Sequence, residues 1–183
     1  MRRVLMAVLA LSSVGLSGVL VAGCDDAGAS PGAKTSTAPA AAAGGACQLL
    51  DFGMVNAKLG LNLSVAAGAS QDNTFSCVLQ ASGASYPDLV LSVSSTTIGA
   101  DVFGSMIQPK DATPVQGLGV AGYQMPTPPA DKAGPGVEVG WLAGNKRIIE
   151  LSLRFAPGTP DEQAAEAMPK VVELAKLIDL SSL

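Results

Sequence analysis

The chain has 183 residues, with 11 basic and 15 acidic side chains and a formal net charge of −4. Nearly half is hydrophobic, only 4% is aromatic, and there is no histidine. This sets aside the commonest general base and metal ligand, a polyanion-binding surface and an aromatic stacking platform for nucleic acid.

The amino end is basic at Arg2 and Arg3, uncharged and apolar from Val4 to Val21, and small in Val21-Ala22-Gly23 before Cys24. Those regions in that order make a secretory signal. A cysteine at the break marks the lipoprotein variant. Its sulfur takes a diacylglycerol carrying chains such as palmitate, and its freed amine becomes the new N-terminus. An uncleaved anchor helix competes, because the apolar run is nearly long enough to span a bilayer. Ser12, Ser13, Gly15, Ser17 and Gly18 dilute that run, and Asp25-Asp26 follow it. Both readings send the rest of the chain across the membrane. Residues 1–23 are therefore read as a lipoprotein signal peptide, and the expected location is the extracytoplasmic face of the cell membrane. Without Arg2 and Arg3, nine basic residues face 15 acidic ones. Membrane attachment must then come from the lipid on Cys24, and stable attachment takes two or more acyl chains.

Residues 24–46 are rich in Ala, Gly, Ser, Thr and Pro, with almost no large apolar side chain. Such a stretch cannot offset its ordering entropy by burial and reads as a flexible tether, reaching roughly 25 Å for about 22 residues. Residues 47–183 read as one globular domain. A short helix is expected over Phe52 to Leu59, with Leu50, Met54, Val55 and Leu59 apolar and Gly60 as a left-handed stop. Phe75 to Ala81 and Leu89 to Ser95 alternate as strands. Ile98 to Ile107 reads as a second helix carrying Val102, Phe103, Met106 and Ile107, with Pro109 beyond its end.

A short strand follows over Ala121 to Met125. Val137 to Ala143 and Lys146 to Phe155 form a hairpin through Gly144-Asn145, its second strand apolar on one face and partly polar on the other. The last element is a helix with Thr159 as cap, Pro160 in the first turn and Glu162 completing a capping box. Met168, Val171, Val172, Ala175 and Ile178 give it an apolar stripe, and Pro169 should kink it. Clustered strands without regular βαβ alternation predict an α+β fold, an antiparallel β-sheet with helices packed mainly on one face.

Cys47 and Cys77 remain once Cys24 is acylated. An even pair in an exported protein reads as a disulfide, closing about 30 residues and stabilising by roughly 3–4 kcal/mol. A redox pair would want Cys-x-x-Cys spacing, and two thiols fall short of a zinc site. Gly117 to Gly122 is glycine-rich, but Tyr123, Gln124 and Met125 lead into Pro126 rather than a helix, so it reads as a turn before a strand and not a dinucleotide loop. Asp88, Asp101, Asp111, Glu138 and Glu150 are scattered and read as solvated. Lys146-Arg147 read as a solvated hairpin tip. The proline-rich loop Pro126 to Gly136 reads as exposed and semi-rigid. Any ligand pocket is sought on the sheet face near Trp141, Tyr123 and Phe155, for which core packing is the plainer role. No catalytic residue, metal site or cofactor emerges, and a triad that needs histidine is excluded.

In its ordered features the chain resembles small mycobacterial and related actinobacterial lipoproteins of unknown function. The shared features are Val21-Ala22-Gly23-Cys24, the Ala/Gly/Pro tether, Cys47-Gln48-Leu49-Leu50 opening a helix that ends in Lys58-Leu59-Gly60, Cys77 in a strand, and Val115-Gln116-Gly117-Leu118-Gly119 before a terminal amphipathic helix. The resemblance covers nearly all of the mature chain. It departs where Val78-Leu79 stand in place of an aromatic soon after Cys77. It implies a cell-envelope lipoprotein, a Cys47–Cys77 bond and no established activity. The expected function is a non-enzymatic, membrane-anchored domain that binds an envelope protein or a small apolar ligand, and no nucleic acid. The alternatives are an envelope hydrolase using carboxylates, a lipid-carrying lipoprotein, or a structural accessory of a larger complex.

Overall fold

The computed structural model describes residues 39–181. The expected signal peptide, Cys24 and the tether up to residue 38 lie outside the described residues.

Among the described residues, seven strands form one antiparallel sheet: β1 (Val65–Gln71), β2 (Thr74–Gln80), β3 (Asp88–Ser95), β4 (Thr113–Pro114), β5 (Ala121–Thr127), β6 (Gly136–Ala143) and β7 (Arg147–Arg154), in the order β1-β2-β3-β7-β6-β5-β4. Two meanders thus meet where β3 pairs β7, Leu91 opposite Leu151. Helix α1 (Phe52–Leu59) and helix α3 (Asp161–Leu177) lie against one face, which is the α+β arrangement expected. There the core is aliphatic. Leu79, Leu89, Leu91, Val139, Ile149 and Leu151 are fully buried, each contributing about 1.5–3 kcal/mol by leaving water.

Helix α1 has the expected span. Asp51 accepts the Met54 amide at 2.9 Å, capping the first turn. Gly60 is left-handed (φ 70°, ψ 29°) and donates to Asn56 O. The β6–β7 hairpin also forms as expected. Its turn takes in Lys146 as well, held at φ 61° while its Nζ donates to Ile98 O at 3.1 Å.

Three expectations need correction. The fold begins before Cys47: Ala40–Ala43 and Gly45–Leu49 are 3₁₀ turns, and Ala40 and Ala46 are buried. The small residues that resemble a tether let backbone lie on backbone here. A Cβ on Gly68 of β1 would come within 2.6 Å of both Ala43 O and Gly44 O. The second helix is only Ala100–Val102 (α2) followed by a π turn, Phe103–Ile107. Gln108 N–H bonds Phe103 O five residues back, and that wider turn breaks the stacking of positions three and four apart. Only Phe103 is buried, while Met106 stays 78% exposed. Thr159 does not cap α3: Pro160 holds that position without a side-chain bond, and Thr159 N–H bonds Ala156 O. Asp161 and Glu162 in the first turn instead complement the helix dipole. The α3 span continues through Pro169, which is exposed together with Ala165, the partner its missing amide would have had. Water can take that carbonyl.

Candidate functional site

The strand registers fix which side chains share a face. Trp141 and Gly140 are neighbours on β6 and therefore point to opposite sides. Tyr123 stands opposite Gly140 in the β5–β6 pair, so Tyr123 and Trp141 are separated by the sheet. The three aromatic residues do not share one face. Trp141 and Phe155 belong to the helix-side core, and Tyr123 packs with Phe103 and Leu142 on the other side. All three are buried.

On the helix side two clefts open beside them. One of about 480 Å³ has Leu59, Leu61, Leu153 and Phe155 among its apolar lining and Glu162, Glu166 and Lys170 along one side of α3. A second, about 330 Å³, places Trp141 beneath Gly117–Gly119 and Ile178–Ser181. The proline-rich loop borders a third, about 370 Å³, with Pro126, Pro128, Pro129 and Pro135 against Ala164 and Ala165 of α3. Two of the three expected aromatics thus line clefts. Gly117–Gly122 is a turn leading into β5, with no helix after it.

The opposite face is paved differently. Across β2, β3, β7, β6 and β5, one row runs Val78, Val90, Ser152, Glu138, Met125, and the next runs Ser76, Ser92, Glu150, Gly140, Tyr123. The Tyr123 ring fills the space a side chain at 140 would take: a Cβ on Gly140 would overlap ring atoms Cε1 and Cζ. Its hydroxyl donates to Glu138 Oε1 at 2.8 Å, and its ring lies 6.0 Å from that of Phe103 at 33°. Burial, then the Glu138 hydrogen bond and charge, then Glu150, raise the Tyr123 pKa above the ordinary phenol value. The hydroxyl is a donor, not a base. Glu150 is raised by burial against the sheet and by Glu138, its diagonal neighbour, although its other side is open to solvent. At the end of this face Asp88 stands opposite Arg154. Burial raises the Asp88 carboxyl, opposed by its own backbone amide and by Arg154. Among the described residues, Asp88 Oδ1 and Thr127 Oγ1 are buried without hydrogen-bond partners.

Two of the scattered carboxylates, Glu138 and Glu150, are therefore brought together, whereas Asp101 and Asp111 lie outside the strands. Lys146 Nζ donates to Ile98 O at 3.1 Å while the residue stays exposed. The Tyr123–Glu138 pair is absent from the sequence reading. The alternation of Glu150, Ser152 and Arg154 in β7 marked the polar face, but only the β5–β6 register places Tyr123 on it. Cys47 and Cys77 are joined, with Cα atoms 4.8 Å apart and a sequence separation of 30.

No protein-family model matches the chain, and no curated protein does. Among solved structures, a protein of Bacteroides thetaiotaomicron VPI-5482 aligns over 58% of this chain and 41% of its own length, at 14% identity and a TM-score of 0.32. A likeness that slight carries no argument about fold or function.

Proposed function

We propose that this chain is an exported lipoprotein of the actinobacterial envelope kind, held at the outer face of the cell membrane by lipid on Cys24. Its α+β domain binds an envelope protein or a small apolar ligand without catalysing a reaction. The observation that carries this reading is the sequence Val21-Ala22-Gly23-Cys24 behind an uncharged apolar run and Arg2-Arg3. The Cys47–Cys77 disulfide supports it, because such bonds persist in oxidising compartments. The absence of histidine from the whole sequence supports a binding role over acid–base catalysis. For an apolar ligand, the Phe155 cleft supplies a greasy floor beside the charged flank of α3, in the size range of small-molecule sites.

The competing reading, a hydrolase working through carboxylates, draws on the neighbouring Glu138 and Glu150. Purification of the native protein from membranes, followed by mass spectrometry of what is extracted from it, separates the cases. A stoichiometric lipid or other apolar molecule supports carriage. A protein retained by the wild type and lost by Cys24→Ser supports a tethered adaptor. Neither, together with turnover of an envelope polymer that Glu138→Gln and Glu150→Gln abolish, overturns the binding role.

A further inference from the structure

The two edges of the sheet differ sharply. At one edge β4 is only two residues long and contains Pro114, the kind of short, proline-bearing edge that blocks strand addition. At the other, β1 runs seven residues, Val-Ala-Ala-Gly-Ala-Ser-Gln, with no charge and no proline, six of them exposed. Nothing in that strand guards it.

The β1–β2 turn is Asp72-Asn73, with Gln71 opposite Thr74. Ser95 N–H donates to Asn73 O at 3.2 Å, so Thr74 directs its own amide and carbonyl away from β3 and towards Gln71. Strict alternation then turns Val65, Ala67, Ala69 and Gln71 towards β2, and Ala66, Gly68 and Ser70 outward. Among the described residues, no backbone hydrogen bond beyond the ladder reaches Ala66, Gly68 or Ser70.

We infer that β1 pairs with β1 of a second copy, antiparallel and centred on Gly68, so that one sheet runs through both molecules. The strand is self-complementary in this register. Gly68 meets Gly68, Ala66 meets Ser70, Ala67 meets Ala69, and Val65 meets Gln71. The outward amides of Ala66, Gly68 and Ser70 then face one another in hydrogen-bonded pairs, as an antiparallel ladder requires. Like charges facing each other across the axis would oppose self-pairing, but this strand carries none within a chain of net charge −4. A twofold axis through Gly68 makes the contact closed, ending at two copies. The turn Ala43-Gly44 lies on the side-chain position of Gly68, not on its outward amide and carbonyl.

Sedimentation of the full chain in detergent, with a Ser70→Pro variant, tests this pairing. Proline at 70 removes an outward amide and leaves the β1–β2 ladder intact. By symmetry two hydrogen bonds are lost per dimer, and the dimer dissociation constant is expected to rise roughly tenfold, with the far-ultraviolet circular dichroism unchanged. The register has its own readout in a Cys24→Ser background, where the introduced thiols are the only free ones. Ala67→Cys mixed with Ala69→Cys should form a mixed disulfide more readily than either variant alone, because those positions face each other across the axis. A wild type that stays monomeric at every concentration reached overturns the inference. So does a dimer indifferent to Ser70→Pro in which the mixed pair links no better than the single variants.

Discussion

Reducing the Cys47–Cys77 bond is expected to remove a large share of the domain's stability without changing its folded contacts. The bond closes 30 residues that include α1, β1 and part of β2. For a loop of about that length, the lost chain entropy of the unfolded state amounts to roughly 3–4 kcal/mol. Domains of this kind are held by only about 5–15 kcal/mol in all. The double variant Cys47→Ala, Cys77→Ala should lose more than simple reduction. Both sulfurs are fully buried, and each truncation leaves a void costing about 1 kcal/mol. Urea denaturation of oxidised, reduced and double-variant protein measures all three. The reduced protein should also show a steeper urea dependence, because its unfolded chain exposes more surface. Its melting temperature should fall by roughly 6–16 °C. A reduced protein within about 1 kcal/mol of the oxidised form, with the same urea slope, would refute the claim that the bond acts by restricting the unfolded chain.

Three further outcomes follow from the open face. Tyr123→Phe removes the hydrogen bond to Glu138 and should cost about 1 kcal/mol; an unmoved urea midpoint would mean the bond is immaterial. Gly140→Ala drives a methyl into the Tyr123 ring and should cost about 1–3 kcal/mol. Tyr123→Ala should suppress much of that cost, and strict additivity in the double-variant cycle would contradict the contact. The Glu150 carboxyl is raised above its ordinary value of 4.5 in the folded protein. The folded state therefore keeps this proton to higher pH than the unfolded one. Stability should decline as pH climbs from 4.5 through the folded value. Glu150→Gln should flatten that decline, and an identical slope in the variant would dismiss the effect.

Elements whose period and punctuation agree were legible in the sequence. Helix α1 between Asp51 and Gly60, the β6–β7 hairpin around Gly144-Asn145, and the apolar stripe of α3 all combine a hydrophobic repeat with a start or stop signal. The missed strand β1 has no such repeat. Its alanines, glycine, serine and glutamine lie at an exposed edge, where nothing selects for large apolar side chains. The turns before Cys47 escaped for a related reason: a run of Ala and Gly suits a tether, and equally suits backbone lying against Gly68. The weak second helix failed because the π turn after Val102 breaks the helical period. At the site, pairing Tyr123 with Glu138 requires the register of β5 on β6, and the intervening proline-rich loop does not set that register in any way a sequence pattern reveals.

Cys24 is where the functional account stands or falls, and the mass of the mature protein extracted from membranes addresses it directly. The account predicts a chain that begins at Cys24, carries acyl groups, and takes up labelled palmitate in the wild type but not in Cys24→Ser. An unacylated chain retaining residues 1–23 and recovered from the cytosol would contradict it.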